Sequence, residues 1–404
     1  MKDKRSHFSR RIFLQNGIKG VAGAVIIPDL LKSKFYSGDD KTKNKFVYRT
    51  LGRTGLKLPV VSIGGPESPV LIETALDRGI IHINTSPEYN KGNQEIMIGK
   101  TLRDRPRTSF VIATGFAMWK RPQNQIKNYT KENIIESFEA SLKRLQLKYV
   151  DIFYLMGVSG RETVLHSPFM EAMESLKKSG KARYVGLTVH QNEPEVLYAS
   201  IDGKIYDVVL TAYNFRKIYR DEIKSAIAAA VKAGVGIIAM KTQAGVYWNQ
   251  KTQEMINMKA ALKWVLQDKN IHTAVPEFGS IEELYTGISV MEHLELTPEE
   301  KKDLRLEGRA PQSGLFCQHC QQCNSQCRGD FDIPTLMRSY MYKYGYHRPL
   351  KAKEAIRHIQ SSHIICAICS FCSVQCRMGF DVRNRILDVI RLQDTPDDIL
   401  VSSH

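Results

Sequence analysis

Residues 208–240 read VVLTAYNFRKIYRDEIKSAIAAAVKAGVGIIAM, and the alternation within this stretch decides the fold. Val208–Ala212 and Gly236–Met240 are short apolar runs with β-branched residues, which is typical of buried strands. Asp221–Ala233, between them, repeats apolar residues at helical spacing. The stretch therefore predicts a strand, a helix and a second strand.

The same alternation extends in both directions, over residues 46–295. The predicted strands are Val60–Ile63, Ile80–Asn84, Phe110–Thr114, Val150–Leu155, Tyr184–Thr188, Val208–Ala212, Gly236–Met240 and Thr273–Pro276. The predicted helices between them include Lys131–Leu145, Pro168–Ser179, Asp221–Ala233 and Glu254–Asp268. Eight strands alternating with helices over about 250 residues predict an α/β fold, a (β/α)8 TIM barrel.

Further features mark the two ends of the barrel. Phe46–Leu51 and Leu56–Leu58 flank Arg53-Thr54-Gly55 and predict a hairpin that plugs the bottom of the barrel. Thr297-Pro298-Glu299-Glu300 has the sequence of a helix cap and leads into the remaining segment. We predict three parts: a signal and linker over residues 1–45, the barrel over 46–310, and a small ferredoxin-like iron–sulfur domain over 311–404.

All eight cysteines of the chain fall in that last part, in two copies of the spacing C-x2-C-x2-C-x3-C. The first set is Cys317, Cys320, Cys323 and Cys327, and the second set is Cys366, Cys369, Cys372 and Cys376. This spacing is typical of loops that bind 4Fe-4S clusters, and the fourth cysteine characteristically reaches the neighbouring cluster. The sequence therefore predicts two 4Fe-4S clusters and a protein that transfers single electrons.

Two alternatives for the cysteines stay open. Structural zinc takes four cysteines, but normally as two separated C-x2-C pairs. Disulfides suit an exported protein, yet cysteines three residues apart are poorly placed to pair with one another. Arg328 and Arg377 also stand where bacterial ferredoxins usually carry proline. A cation beside an anionic cluster should favour the reduced state of that cluster.

The N-terminus predicts export. Ser9–Leu14 reads SRRIFL, close to the twin-arginine pattern, and follows a basic stretch. The apolar run from Gly17 to Ile27 is shorter than the ~20 residues that span a bilayer, and Ala22-Gly23-Ala24 offers a cleavage site. We expect a periplasmic or otherwise extracytoplasmic protein, exported folded with its clusters inserted and without a stable membrane span after signal removal. A disordered basic tail is the alternative.

Composition narrows the class of partner. The chain has 404 residues, 43% of them hydrophobic, which is ample for a large core. Its net charge is +16, and residues 1–45 supply +7 of this through eleven Lys/Arg against four Asp. The remaining +9 suits an acidic redox partner protein or an anionic small-molecule substrate. No nucleic-acid-binding motif is present, and we expect no nucleic-acid partner.

Several motifs resemble the aldo-keto reductase family. They are Arg49–Gly55 (RTLGRTG), Ile83–Tyr89 (INTSPEY), Glu95 followed by Ile98-Gly99, Val185–Thr188 (VGLT), Tyr213-Asn214 and Met240-Lys241. The resemblance covers residues 46–295, and the cysteine-rich tail points to the ferredoxin-type branch of that superfamily. It implies an oxidoreductase whose site lies at the C-terminal mouth of the barrel.

The resemblance also implies a catalytic tetrad of Asp, Tyr, Lys and His, of which this chain keeps only the tyrosine. Tyr89 matches the tyrosine, while Asn84, Gly115 and Met156 stand at the aspartate, lysine and histidine positions. In the family, the lysine and aspartate lower the tyrosine pKa and the histidine orients the carbonyl. A tyrosine with a pKa near ~10 is a poor proton donor without that support. Standard carbonyl reduction is therefore not expected.

Substitutes for the missing groups are His190 and Lys241, at the ends of the fifth and seventh predicted strands. His190 is either catalytic or a structural hydrogen-bonding residue. Lys241 is either a salt-bridged rim residue or a Schiff-base lysine. The resemblance implies the cofactor-binding residues Thr188, Tyr213, Asn214, Lys241, Gly279 and Ser280. A helix N-terminus at Gly279-Ser280 suits a phosphate, but the glutamates at 277, 282 and 283 disfavour the 2′-phosphate of NADP, so NAD(P) has little support here.

Three interpretations of function compete. The first is an oxidoreductase that passes electrons between a barrel-bound substrate or cofactor and a partner through two 4Fe-4S clusters. The second is a catalytically silent barrel that acts as an electron-transfer or assembly subunit. The third is a binding protein whose clusters are structural. We favour the first, because the cysteine spacing and the family resemblance both indicate redox chemistry.

Overall fold

A computed structural model describes residues 46–118, 128–244, 257–304, 315–360 and 364–401. The twin-arginine-like motif, the linker, the start of the helix predicted over Glu254–Asp268 and the domain boundary at residue 310 lie outside these ranges. The described residues belong to one compact unit that spans Lys41–His404.

Eight parallel strands form the barrel, as predicted, and an antiparallel hairpin precedes them. The hairpin strands are β1 (Tyr48–Thr50) and β2 (Lys57–Pro59). The barrel strands are β3 (Ile63–Gly64), β4 (His82–Asn84), β5 (Val111–Ala117), β6 (Val150–Val158), β7 (Ala182–Val189), β8 (Val208–Ala212), β9 (Gly236–Met240) and β10 (Thr273–Ala274). Ser62 N donates to the carbonyl of Ala274 over 2.8 Å, and Ala274 N donates to the carbonyl of Val60 over 2.9 Å. These bonds join the first and last strands.

Helices follow the strands around the outside of the barrel. They are α1 (Pro69–Asp77), α2 (Asn93–Leu102), α3 (Lys131–Leu145), α4 (Arg161–Val164), α5 (Ser167–Lys178), α6 (Glu193–Asp202), α7 (Arg220–Lys232), α8 (Met258–Leu266), α9 (Ile281–Val290) and α10 (Pro298–Leu304). The predicted cap of α10 is confirmed. The hydroxyl of Thr297 accepts from Glu300 N, and the carboxylate of Glu300 accepts from Thr297 N.

The hairpin plugs the bottom of the barrel, as predicted. Leu51 and Leu58 are fully buried and join the apolar cluster inside the barrel. The Arg49 guanidinium donates to the carbonyls of Leu266 and Asp268, over 2.7 and 2.9 Å. Gly52 has a φ of +48° and lies against the backbone at Gly236, where a Cβ would overlap it. The close approach therefore requires glycine.

The C-terminal segment, residues 315–401 where described, consists of helices and connecting turns and contains no strand in those ranges. Its helices are α11 (Gln322–Gln326), α12 (Ile333–Tyr344), α13 (Pro349–Ile356), α14 (Val382–Ile390) and α15 (Asp397–Val401). Leu336, Ile356, Ile386 and Val389 form an apolar core of their own, which includes the buried Cys366. Across the whole described part of the chain, every helix is too short or too polar to cross a membrane.

Candidate active site at the barrel mouth

A cavity of about 1600 Å³ lies between the C-terminal ends of the barrel strands and the C-terminal segment. The barrel side of its lining includes Tyr89, Gly157, His190, Gln191, Lys241 and Glu277, and the opposite side includes His319, Arg338, Tyr342, Lys351 and Glu354. Sites of this fold are built at this end of the barrel. The cysteine-bearing segment therefore covers the mouth where chemistry is expected.

Two of the altered tetrad positions, Gly115 and Met156, are in direct contact. They lie on the paired strands β5 and β6. A Cβ at position 115 would overlap the carbonyl oxygen of Tyr154 and Cγ of Met156. The Met156 side chain belongs to the apolar cluster inside the barrel. Methionine therefore fills the space in which a side chain at position 115 would begin.

The other two tetrad positions are Asn84 and Tyr89. Asn84 is 4% exposed at the end of β4, and its side-chain oxygen has no hydrogen-bond partner among the described residues. Burial, reinforced by Tyr342 and Glu354, raises the pKa of Tyr89 to about 12. The family's tyrosine is thus present, but it is a weaker acid than an ordinary tyrosine.

His190 stands at the end of β7 and lines the cavity. Burial, and then the nearby charges of Lys241, Arg338 and Lys217, hold the pKa of His190 well below its ordinary value. The imidazole is therefore neutral at pH 7, and its two nitrogens offer one hydrogen-bond donor and one acceptor. Such a ring can orient a substrate oxygen without carrying charge.

Lys241 follows β9 and makes a contact that the sequence did not reveal. Its Nζ donates to the phenol oxygen of Tyr342, on α12, over 3.1 Å. Among the described residues, no carboxylate lies at ion-pair distance from Lys241; the nearby Glu277 pairs with Arg348 and Lys351 instead. Lys241 therefore does not occupy the salt-bridged rim position considered above. Burial alone raises the pKa of Tyr342, but Lys241, Arg338 and Arg348 outweigh it, and the pKa lies below its ordinary value.

The residues that the resemblance implied for nicotinamide binding use their polar groups within the chain. Thr188 Oγ1 accepts from Gly157 N over 2.9 Å. Asn214 Nδ2 donates to the carbonyl of Lys241 over 3.0 Å, and its Oδ1 accepts from Arg216 N. Tyr213 is 3% exposed and packs against the Trp264 ring.

The expected phosphate position, Gly279-Ser280, is likewise engaged. Gly279 N donates to the carboxylate of Glu283 over 2.6 Å, and Ser280 caps α9 by accepting from Glu283 N. The Arg348 guanidinium covers Gly279 so closely that a Cβ there would overlap it. Arg348 also lies 3.5 Å from the carboxylate of Glu277, which Lys351 contacts as well. Two cationic side chains of the C-terminal segment therefore lie beside the predicted phosphate position.

The two cysteine sets are interleaved. The pKa of Cys317 is raised to about 12 by burial and by its neighbours Cys323, Cys376 and Cys320. The pKa of Cys366 is raised to about 11 by burial and by Cys327, Cys369 and Cys372. The fourth cysteine of each set is thus a neighbour of the other set.

A second cavity, of about 310 Å³, is lined by this mixed group, namely Cys366, Cys369, Cys372 and Cys327. Within the described ranges, no group of three His, Cys, Asp or Glu side chains lies close enough together to bind one metal ion. Four thiolates on a single zinc at 2.3 Å would lie about 4 Å apart. A cubane cluster has iron at four corners, so its thiolates stay further apart. The cysteines around this cavity are the donor type that a 4Fe-4S cluster takes.

A buried polar network fixes the first cysteine loop to the barrel. Lys217, 1% exposed, pairs with the fully buried Glu193 over 2.6 Å. Lys217 Nζ also donates to the carbonyl of Gln318, over 3.3 Å, and to the Tyr219 hydroxyl. Gln318 Nε2 in turn donates to the carbonyl of Arg216. Nothing in the sequence marked Lys217, Gln318 or Tyr342, because the contacts that join the barrel to the C-terminal segment here span about a hundred positions.

Comparison with known proteins finds similarity to one family. Residues 62–260 match the model of the Aldo/keto reductase family. The chain is similar to L-galactose dehydrogenase of Arabidopsis thaliana, with 24% identity over 294 residues that cover 62% of this chain and 90% of that protein. It is also similar to L-glyceraldehyde 3-phosphate reductase of Escherichia coli (strain K12), with 32% identity over 163 residues, 36% of this chain and 46% of that protein.

Solved structures agree on the fold. Aldo-keto reductase AKR11C1 from Bacillus halodurans (holo form) aligns with a TM-score of 0.53 and 22% identity, covering 68% of this chain and 99% of that one. The thermostable aldo-keto reductase Tm1743 aligns with a TM-score of 0.52 and 24% identity, covering 65% of this chain and 100% of that one. At these identities the likeness concerns the barrel alone.

Proposed function

The barrel of this chain belongs to the aldo-keto reductase superfamily of oxidoreductases, and from that premise we propose an exported iron–sulfur oxidoreductase. In this proposal, a small molecule binds at the barrel mouth, and electrons pass between it and a partner protein through two 4Fe-4S clusters held by the cysteine sets. When bound, such clusters accept and donate single electrons.

One observation carries the proposal: the first cysteine loop and the barrel mouth line the same cavity. His319, between Cys317 and Cys320, is a wall residue of that cavity together with His190 and Lys241. A ligand held at the mouth would therefore lie next to the loop that bears three of the cysteines. This adjacency favours an enzyme over a protein whose clusters are only structural.

The second cysteine loop offers a route out of the molecule. Ile368 and Phe371, which lie between its cysteines, are 85% and 70% exposed. Exposed apolar residues beside a redox group are suited to the brief docking of another protein. We place the partner protein at this second cysteine loop. The small molecule lies at the barrel mouth, beside the first cysteine set.

The substrate of the proposed reaction carries a hydroxyl or carbonyl group. L-galactose dehydrogenase, by its name, acts on a sugar, and a cavity of about 1600 Å³ has room for a molecule of sugar size or larger. Standard carbonyl reduction with a nicotinamide is not part of the proposal. Position 115 has no room for the tetrad lysine, and Thr188 and Asn214, implied for nicotinamide binding, make hydrogen bonds within the chain.

Those same two observations support a second candidate, the catalytically silent barrel that serves as an electron-transfer or assembly subunit. The two functions differ in what reduces the clusters. In an enzyme, a small molecule bound at the mouth does so. In a silent subunit, only another protein or a chemical reductant does so.

Metal analysis is the first test of the proposal. Protein purified without oxygen is expected to hold about eight iron and about eight acid-labile sulfide per chain, with the broad visible absorption of iron–thiolate charge transfer. Stoichiometric zinc without sulfide would rule the clusters out. Cys376→Ala should disturb the cluster of the first set, and Cys327→Ala that of the second, because of the interleaving described above.

Substrate-driven bleaching separates the two candidate functions. The loaded protein is mixed anaerobically with sugars and hydroxy acids, beginning with L-galactose, and its visible absorption is followed. Bleaching by one of them, reversed by ferricyanide, is the result expected of an enzyme. Clusters that dithionite reduces but no small molecule does would favour the silent subunit.

Export is the remaining part of the proposal, and it rests on the SRRIFL motif at residues 9–14. A protein that acquires clusters in the cytoplasm must cross the membrane already folded, which is what the twin-arginine route transports. The periplasm, or a comparable compartment, is therefore the proposed location of the redox partner.

A further inference from the structure

Tyr342 is held over the barrel mouth by a residue of the barrel itself. It lies in the last turn of α12, and its phenol oxygen accepts a hydrogen bond from Lys241 Nζ over 3.1 Å. Since the lysine is the donor, the phenol hydrogen remains available. Within the described part of the chain, that hydrogen has no acceptor at hydrogen-bond distance. Both residues line the large cavity.

The charges around Tyr342 favour its phenolate. Lys241 after β9, Arg338 on α12 and Arg348 before α13 act on it, and the Lys351 ammonium lies 5.4 Å from the centre of its ring. The nearby carboxylates have other partners, because Glu277 is bound by Lys351 and Glu354 accepts from Asn90 N. Tyr89 is the other titratable phenol in this group of residues.

The backbone of Lys241 indicates that its position is enforced. Its φ is +56°, in the left-handed region that residues with side chains seldom adopt. The Asn214 side chain holds the carbonyl of Lys241 in place over 3.0 Å. Conformations of this kind cluster at functional sites. Here the conformation belongs to the residue that holds the phenol of Tyr342.

We propose that Tyr342, held by Lys241, is the group that exchanges a proton with the hydroxyl or carbonyl oxygen of the substrate, in place of Tyr89. The inference rests on the proposed function, in that the barrel mouth is the reaction site. The step is a proton transfer alone. When a substrate hydroxyl is oxidised, its O–H bond breaks as an O–H bond forms on the Tyr342 phenolate, which the Lys241 ammonium has stabilised, and the proton then passes to solvent. When a carbonyl is reduced, the same proton moves in the opposite direction, from Tyr342 to the substrate oxygen.

The geometry provides a tyrosine–lysine pair like that of the family tetrad, but from a different part of the chain. The family lysine position is Gly115, where no side chain fits, and the pKa of Tyr89 is raised to about 12, first by burial and then by Tyr342 and Glu354. Tyr342 and Lys241 supply the same two groups from α12 and the end of β9. Asn214, which the resemblance assigned to cofactor binding, becomes a positioning residue for Lys241.

Titration of the cluster-loaded protein tests the pair. Difference spectra between the unaltered protein and Tyr342→Phe cancel the cluster absorption and isolate the tyrosinate of Tyr342. We expect this signal to develop below the usual pH range of tyrosine and to move to higher pH in Lys241→Met. Tyr340→Phe, on the same helix but outside the cavity lining, is the matched control and should keep the signal. A Tyr342 signal at or above the usual range, or one unaffected by Lys241→Met, would overturn the proposal.

The rate of chemical modification is a second measurement. A tyrosine with only a structural role would not show the reactivity expected of Tyr342. N-acetylimidazole acetylates accessible, nucleophilic phenols, and mass spectrometry locates the modified residues. We expect Tyr342 to be acetylated faster than Tyr89 and more slowly in Lys241→Met. Acetylation of Tyr89 with Tyr342 unmodified would instead assign the proton transfer to Tyr89. Iron and sulfide contents are measured on the same samples. Absence of iron and sulfide would therefore contradict the proposed function. The tyrosinate titration and the acetylation rates test this inference independently of that result.

Discussion

The space at Gly115 is limited by the side chain of Met156 and the backbone of Tyr154. The loss of the tetrad lysine is not an isolated change, because the Met156 side chain and the Tyr154 carbonyl occupy the space next to Gly115. The tyrosine that remains, Tyr89, has its pKa raised to about 12 by burial. At this scale the barrel keeps a tyrosine at the family position, has no lysine at position 115, and is tightly packed there.

Restoring the lysine is therefore expected to fail. Gly115→Lys should give no NAD(P)H-dependent reduction of simple aldehydes above background, as we expect of the unaltered protein. Gly115, Met156 and Asn84 changed together to Lys, His and Asp should fail as well, because the overlap with the Tyr154 carbonyl persists after Met156 is removed. Steady-state assays with glyceraldehyde and methylglyoxal measure this. Robust turnover that Tyr89→Phe abolishes would contradict it.

The same overlap predicts a loss of stability. Gly115→Ala should lower the free energy of unfolding by about 1–3 kcal/mol, the usual cost of forcing extra atoms into a packed interior. Gly160→Ala is the matched control, because a Cβ there would meet only the Glu195 carboxylate, at 3.6 Å. Chemical denaturation of the two variants gives the comparison. Equal losses would mean that β5 adjusts freely.

Among the elements, the seam between β3 and β10 is where the barrel closes. His82 Nδ1 lies 3.0 Å from Ser62 Oγ, which lies 2.8 Å from Thr273 Oγ1. These three buried side chains link β4, which carries His82, to Ser62 just before β3 and to Thr273 in β10. Each of those two closing strands is only two residues long, so the side-chain bonds supplement a short backbone ladder.

The seam should weaken in mild acid. Burial lowers the pKa of His82 from an ordinary 6.5 to about 4. Below pH 6.5 the unfolded chain gains a proton that the folded chain does not, so stability is lost as the pH falls from 6.5 towards 4. The loss attributable to His82 is about 3 kcal/mol. Denaturation midpoints across this range should fall less steeply in His82→Gln than in the unaltered protein. Parallel slopes would contradict the assignment.

The elements also show what sequence could predict. The bounds of β8, β9 and α3 are as predicted, because strong local periodicity and clear caps coincide there. The first strand, predicted over Val60–Ile63, lies at Ile63–Gly64, and Thr273–Pro276 was predicted two residues too long. The closing strands pair over fewer residues than their apolar runs suggest. The pairing of Lys241 with Tyr342 was beyond reach, because it joins residues 101 positions apart across the cavity.

At the scale of the whole molecule, a buried ion pair of the barrel lies at the junction with the C-terminal segment. Lys217 and Glu193 are 1% and 0% exposed at the point where the first cysteine loop meets the barrel. A buried pair of this kind adds little by itself, but removing one partner leaves an uncompensated charge.

Lys217→Met should therefore cost about 3–5 kcal/mol of unfolding free energy, and the double change Lys217→Met with Glu193→Gln should cost less. Arg161→Met is the control, because its pair with Asp202 is about half exposed on both sides and such pairs contribute about 0–1 kcal/mol. Calorimetry of the loaded protein measures all three. A double variant less stable than the single one would contradict the buried-charge argument.

Export is a property of the complete chain. Replacing Arg10 and Arg11 together by Lys should leave a folded, cluster-loaded protein in the cytoplasm, since the twin-arginine pair is what the transporter reads. Cell fractionation with measurement of iron in each compartment checks this. Arrival of the double variant in the periplasm would show that another signal directs export.

The carbonyl of Gln318 is one of the oxygens that surround the Lys217 ammonium, and it is the one that does not belong to the barrel. A barrel cut free of its tail would keep the ammonium and lose that oxygen. The two parts therefore cannot be treated as exchangeable modules in protein engineering. A tail transplanted onto another barrel of the superfamily would need Lys217 and Glu193 to be transferred with it.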